Sequence, residues 1–97
     1  MKLANFKKQP ADVLDYDIDY TSWMPAGDTL LSATAVVDII GTGSLLVDSI
    51  VVTPATNIVK LWMSGGVDGV TYKVTVTSIT NGGRTKEDEL QFTVKNY

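Results

Sequence analysis

Apolar and polar residues trade places every second position along much of this chain, the spacing of strands that bury one face. The pattern is sharpest near the C-terminus. Val70, Tyr72, Val74 and Val76 alternate with Thr71, Lys73, Thr75 and Thr77, and Leu90, Phe92 and Val94 alternate with Glu89, Gln91, Thr93 and Lys95. The stretch between them, "NGGR" at residues 81–84, holds residues that tolerate positive φ, so the two runs read as a hairpin. Upstream, "LDYDIDY" sets Leu14, Tyr16, Ile18 and Tyr20 against Asp15, Asp17 and Asp19. Then "DTLLSATAVVDII" predicts a strand with Leu31, Ala33, Ala35 and Val37 on one face, broken by "GTG" at residues 41–43. "SLLVDSIVV" and "IVKLWMS" predict two more, separated by a loop at Pro54, which cannot donate to a ladder.

No window carries an i, i+3, i+4, i+7 apolar stripe. Composition agrees: 12 Val, 6 Ile and 12 Thr against 8 Leu favour pleated, half-buried surfaces over helices. Six or seven short strands between Gly/Pro turns, in 97 residues, predict an all-β, immunoglobulin-like antiparallel sandwich of two sheets. One core is all that such a length supports. The expected organisation is a basic arm over residues 1–9, with Lys2, Lys7 and Lys8, followed by a sandwich domain over 10–97. The arm is either a frayed terminus or, through Phe6 and Leu3, an element that docks on the body itself or on a neighbour.

Candidate chemistry is thin. The chain has no Cys and no His, which removes disulfides, thiolate metal sites and every dyad built on imidazole. The D-x-D-x-D run of Asp15, Asp17 and Asp19 has the opening of a calcium loop. Counted from Asp15, however, the sixth position is Tyr20 where Gly is needed, and the twelfth is Ala26 where Glu is needed. On a strand, alternate carboxylates stand roughly 6.5–7 Å apart, too open to wrap one ion. The aspartates therefore form an outer face. It is either solvated, which discourages pairing with the wrong neighbour, or an acidic strip for a basic partner surface such as Lys7 and Lys8 of another copy.

Glu87, Asp88 and Glu89 beside Arg84 and Lys86 read as a solvated, charge-paired hairpin. The glycines of "SGGVDGVTYKVTV" precede neither Gly-Lys-Ser/Thr nor a helix, so a phosphate loop is not supported. Tyr72 stands where an immunoglobulin-like domain uses a tyrosine corner. Trp62, between Leu61 and Met63, is expected to fill the core, and Trp23 to cap one end or face a partner. No catalytic residue, metal ligand or cofactor is expected.

The net charge of −3 is unevenly spread: no basic residue occurs from Gln9 to Val59, whereas Asp12, Asp15, Asp17, Asp19, Asp28, Asp38 and Asp48 do. Without a basic stripe, nucleic acid is not an expected partner. No apolar run approaches the ~20 residues of a membrane span, and no apolar stretch follows the first lysines as in a secretory signal.

The ordered set "QPADVLDYDIDY", Trp23, "GDTL", "VDS", "LWMSGG", "GVTYKVTVTSIT" and "GGRTKEDE" resembles the tailed-phage fiber–tail adaptor proteins, small virion structural proteins of phages and prophages. Pro10, Leu14, Asp15, Tyr16, Trp23, Trp62, Ser64, Gly65, Gly66, Gly69, Tyr72, Val74, Gly83, Arg84 and Thr85 fit that family's pattern, and the lysine-bearing start departs from it. The resemblance implies a non-enzymatic virion component, assembled in the host bacterial cytoplasm. Its implied partners are other virion proteins of the tail, connector, fiber or capsid, with multiple copies in a symmetric assembly and no membrane. A capsid decoration protein and a carbohydrate- or cell-surface-binding module, the latter using Trp23 with Tyr20, are the alternatives. Candidate interface residues are Phe6, Lys7, Lys8, Asp15, Asp17, Asp19 and Trp23, and candidate structural residues Trp62 and Tyr72.

Overall fold

Alternation becomes strand almost everywhere it occurs. The structure, a computed structural model, describes residues 2–38 and 45–96, and the expected glycine break at 41–43 lies outside the described residues. Among these the strands are β1 (Lys2–Lys8), β2 (Leu14–Asp19), β3 (Leu30–Asp38), β4 (Leu45–Thr53), β5 (Ile58–Gly65), β6 (Thr71–Thr80) and β7 (Thr85–Val94), with no helix. They form a four-stranded sheet ordered β1-β7-β6-β3 and a three-stranded sheet ordered β2-β5-β4. With β2, β5, β4 standing as B, E, D and β7, β6, β3 as G, F, C, the order is that of an immunoglobulin-like sandwich. The first strand sits beside β7, in parallel, and all other pairs are antiparallel.

The core lies between the sheets and follows the period of two. β5 contributes Val59, Leu61 and Met63; β6 contributes Tyr72, Val74 and Val76; β7 contributes Leu90, Phe92 and Val94, all fully buried. Two bulges adjust the phase. In β3 the register shifts between Leu30 and Ser32, so Leu30 is buried and Leu31 is 58% exposed. The predicted inward set is thus corrected at its first member, while Ala33, Ala35 and Val37 do pack on the core. In β4 the shift between Val47 and Ser49 inserts Asp48, which keeps Val47, Ile50 and Val52 facing inward.

Residues 2–8, set apart by their charge as an arm, form β1 and run alongside β7, with Phe6 opposite Phe92 and Lys8 opposite Val94. The strand is anchored by its side chains. Phe6 packs against Tyr16 and Phe92 with ring centroids 4.8 and 5.2 Å away. Lys8 is 1% exposed, and its Nζ donates to the carbonyls of Gln9, Pro10 and Gly65 at 2.8, 3.4 and 2.7 Å. The last of these bonds ties the first sheet to the end of β5.

Both ends of the sandwich are closed by specific polar contacts. Near Lys8, the Val67 N–H donates to the Tyr72 hydroxyl at 3.0 Å, the tie that a tyrosine corner requires. At the far end, Asp28 accepts from the N–H groups of Thr29 and Gly82 and from Arg84 in the β6–β7 turn. Asn57, at φ 55, receives the Tyr20 N–H on its carbonyl and the Leu30 N–H on its side chain. The result is a narrow body of 43 × 20 × 19 Å.

Candidate interface surface

The candidate residues do not form one cluster. Phe6, Lys7 and Lys8 lie on β1 at one edge of the four-stranded sheet, and Lys7 is the exposed member of the three. Phe6 is part of the aromatic group that closes that side of the core, and Lys8 is buried with its ammonium held by backbone carbonyls. Burial pushes the Lys8 ammonium below its ordinary value, with Asp12 and Asp48 acting in the opposite sense. Within this chain both side chains are engaged by the fold.

β2 turns Tyr16, Ile18 and the following Tyr20 toward the core and Asp15, Asp17 and Asp19 outward. The acidic row is partly answered within the sheet. Asp15 and Asp17 face Lys60 of β5, whose Nζ lies 3.1 and 3.9 Å from their carboxylates. Hydrogen bonding to Lys60 holds the Asp15 carboxyl below the usual range, and Asp19 is lowered by the hydroxyl and N–H of Thr21. Among the described residues no group of three or more acidic side chains is placed to hold a metal ion.

Trp62 corrects its expectation. It stands on the outer face of β5, 37% exposed, because Val59, Leu61 and Met63 take the inward phase. The signal was present in Lys60: a lysine two residues before a tryptophan on a strand puts both on the same face, and a mid-strand lysine without an inward partner belongs on the outer one. The ring lies opposite Asp15 on β2 and Ser49 on β4. Diagonally across the β4–β5 pair lie exposed Leu46 and Val51, opposite Ser64 and Lys60 respectively. Leu46, Trp62 and Val51 thus make a short apolar strip beside the acidic row.

Trp23 packs on the core from the loop after β2, its ring 6.0 Å from Tyr20, with Lys86 Nζ 5.8 Å above it. Tyr20 itself is only 2% exposed; its hydroxyl accepts from Ser78 at 3.0 Å, and burial pushes its pKa up to about 12. The Trp23–Tyr20 pair therefore presents no open aromatic platform of the kind a sugar ring stacks on. Asp88, read from sequence as part of a solvated hairpin, is fully buried beside Lys86, whose Nζ lies 2.9 Å from it. Its inward position follows from the alternation that buries Leu90 and Phe92.

Charge separates the two sheets. The β2-β5-β4 sheet carries four aspartates, Asp15, Asp17, Asp19 and Asp48, and one lysine, Lys60. The remainder of the chain holds seven basic and seven acidic residues, so the whole net charge of −3 resides on this sheet.

Comparison with known proteins bears on these surfaces. A family model described as podophage GP4 fiber-tail adaptor protein gp77 matches residues 8–93, from the last residue of β1 almost to the end of β7. No curated protein sequence matches. Among solved structures, a 2,6-sialyltransferase of Photobacterium sp. JT-ISH-224, crystallised with CMP and lactose, superposes with a TM-score of 0.52 at 13% identity. The superposition covers 97% of this chain and 18% of that one, and it shows a shared fold alone.

Proposed function

The chain belongs to the family of the podophage GP4 fiber-tail adaptor protein gp77, and from that membership we propose that it is a non-enzymatic joint seating a fiber on the tail or neck of a phage particle. The family match over residues 8–93 carries this reading, since it takes in both sheets and all but the first strand. The geometry supports it. Both ends of the 43 Å body are closed by buried or charge-assisted hydrogen bonds, which suits a part that must hold two others at a set separation. Copies are proposed to follow the symmetry of the tail, each placing one adaptor against one set of tail and fiber surfaces.

The test is a particle lacking this chain. Mass spectrometry of purified virions is expected to detect the protein, and cryo-EM of the deletion particle is expected to show intact tails without fibers. Deletion particles that keep their fibers and lose only a surface layer would instead establish a decoration role. Absence of the chain from wild-type virions would overturn the proposal.

A further inference from the structure

The two outer faces of the sandwich differ in how their charged and apolar groups are disposed. On the β1-β7-β6-β3 sheet, Lys73 lies between Asp38 and Glu89 at 3.3 and 3.6 Å, and threonines such as Thr75, Thr77 and Thr93 fill the positions around them. The exposed Val36 there is separated from Ile79 by the Thr34–Thr77 pair, while exposed Leu31 stands at the bulge beside the Ser32–Ile79 pair. On the β2-β5-β4 sheet Lys60 likewise lies between Asp15 and Asp17, but acidic side chains outnumber basic ones, and the exposed Trp62 stands diagonal to exposed Leu46 and Val51.

We propose that this second face, centred on Trp62, docks a lysine- or arginine-bearing segment of a different virion protein, a reading that rests on the adaptor role above. Three observations select that occupant. The face holds all of the chain's net negative charge, so a cationic partner is attracted over several ångströms before contact. Trp62 offers an exposed ring with Asp15 directly across the strand pair; Asp15 already meets Lys60 through Oδ2 at 3.1 Å, and an arriving guanidinium or ammonium stacks on the ring face and shares that carboxylate. A second copy is a poor occupant: outside this sheet the chain is balanced at seven charges of each sign, and sheet against like sheet would oppose −3 with −3. Tryptophan at the centre of an apolar strip with a polar surround is also the usual anatomy of an interface hot spot.

The test is made in assembled particles. Trp62→benzoyl-phenylalanine, photo-activated in virions, is expected to form a covalent product with a Lys/Arg-bearing peptide of another virion protein. Trp62→Ala is expected to lower the copies per particle at least tenfold while leaving the isolated chain's melting curve within a few degrees. The double variant Asp15→Asn/Asp17→Asn is expected to release from particles at a lower NaCl concentration than the wild type. Thr77→Ala, on the opposite sheet, serves as the unchanged control. A photoproduct with a second copy or with a glycan would overturn the proposal, as would no photoproduct in virions that contain the chain, or release indifferent to salt. In those outcomes the adaptor role stands; virions that lack the wild-type chain overturn both.

Discussion

Replacing Phe6 by alanine tests whether the first strand belongs to the fold. Phe6 lies opposite Phe92, and its ring contacts those of Phe92 and Tyr16, which themselves meet edge-on at 4.9 Å. One ring comes from β1, one from β7 and one from β2, so the trio closes the side of the sandwich where β1 and β2 face each other. A fully buried Phe→Ala costs about 3–5 kcal/mol through lost transfer and the cavity left behind. Phe6 is half-buried, which reduces that to about 2, and the ring pairs add up to about 1, giving an expected loss of ~2–3 kcal/mol.

Urea unfolding followed by tryptophan fluorescence reads this directly. At the slope of a domain this size the midpoint should fall by roughly 1–2 M with the slope unchanged. The melting temperature should fall by on the order of 10–20 °C. Lys7→Ala, exposed on the same strand, should stay within about 0.5 kcal/mol of the wild type. A Phe6→Ala loss no larger than that of Lys7→Ala would refute the reasoning, because it would mean that the segment is a loose arm. By the same argument, deleting residues 1–8 uncovers the β7 edge and removes both anchors, so destabilisation is expected as well as any effect on assembly.

Tyr72→Phe leaves the Val67 N–H without its acceptor and should cost about 1–2 kcal/mol in thermal unfolding; an unchanged melt would show that the corner contributes nothing. Gly66→Ala should cost about 2–3 kcal/mol, because φ is +97° and the new Cβ would stand 2.7 Å from Val94. Gly69→Ala, at φ +84° with open space around it, should cost only about 1, and equal losses at both sites would remove the steric part of this account. Asp28 is held at about 2 against an ordinary 3.8, first by the Thr80 hydroxyl and then by Gly82 N–H and Arg84. A carboxyl depressed in the folded state stabilises it above pH 3.8, and that contribution is lost as pH falls toward 2. Asp28→Asn should flatten the fall in stability between pH 4 and 2, and a slope identical to wild type would refute the assignment.

What was legible in the chain is what period two expresses. The β6–β7 hairpin, the inward tyrosines of β2, the outward aspartates and the tie from Tyr72 all follow from alternation and turn chemistry within a few residues. The misses have nonlocal or competing causes. β1 has too little alternation to announce itself, and its partner lies more than eighty residues away, so no local signal predicts the parallel pairing. Leu31 leaves the inward phase because a bulge moves it by one residue, and a bulge depends on the partner strand as much as on its own. The apolar neighbours of Trp62 point to the core, but Lys60 two residues earlier marks its face as the outer one. Asp88 is the opposite case: its acidity suggested solvent, yet strand phase and Lys86 put it inside. A charged residue at an inward position needs a partner on its own strand or across it, and that pairing is invisible until the register is known.

These polar exceptions also bear on where an adaptor of this shape can be gripped. Lys8, Asp28 and the Tyr20 hydroxyl are all committed to groups of the chain itself, and they lie at or near the two ends of the body. An end whose charged groups already satisfy backbone N–H and C=O groups loses those bonds if a partner displaces them, and each loss leaves a buried group unpaired. Contacts that do not compete with folding therefore fall on the faces. Each face has one lysine set between two carboxylates, Lys73 with Asp38 and Glu89 and Lys60 with Asp15 and Asp17, but only the Trp62 face carries unbalanced charge around an exposed tryptophan. In this chain the residues that stabilise the ends and the exposed residues of the Trp62 face are segregated, and substitutions at Trp62, Asp15 and Asp17, the last two held only by exposed pairs with Lys60, should separate assembly from stability where those at Phe6, Lys8 and Asp28 do not.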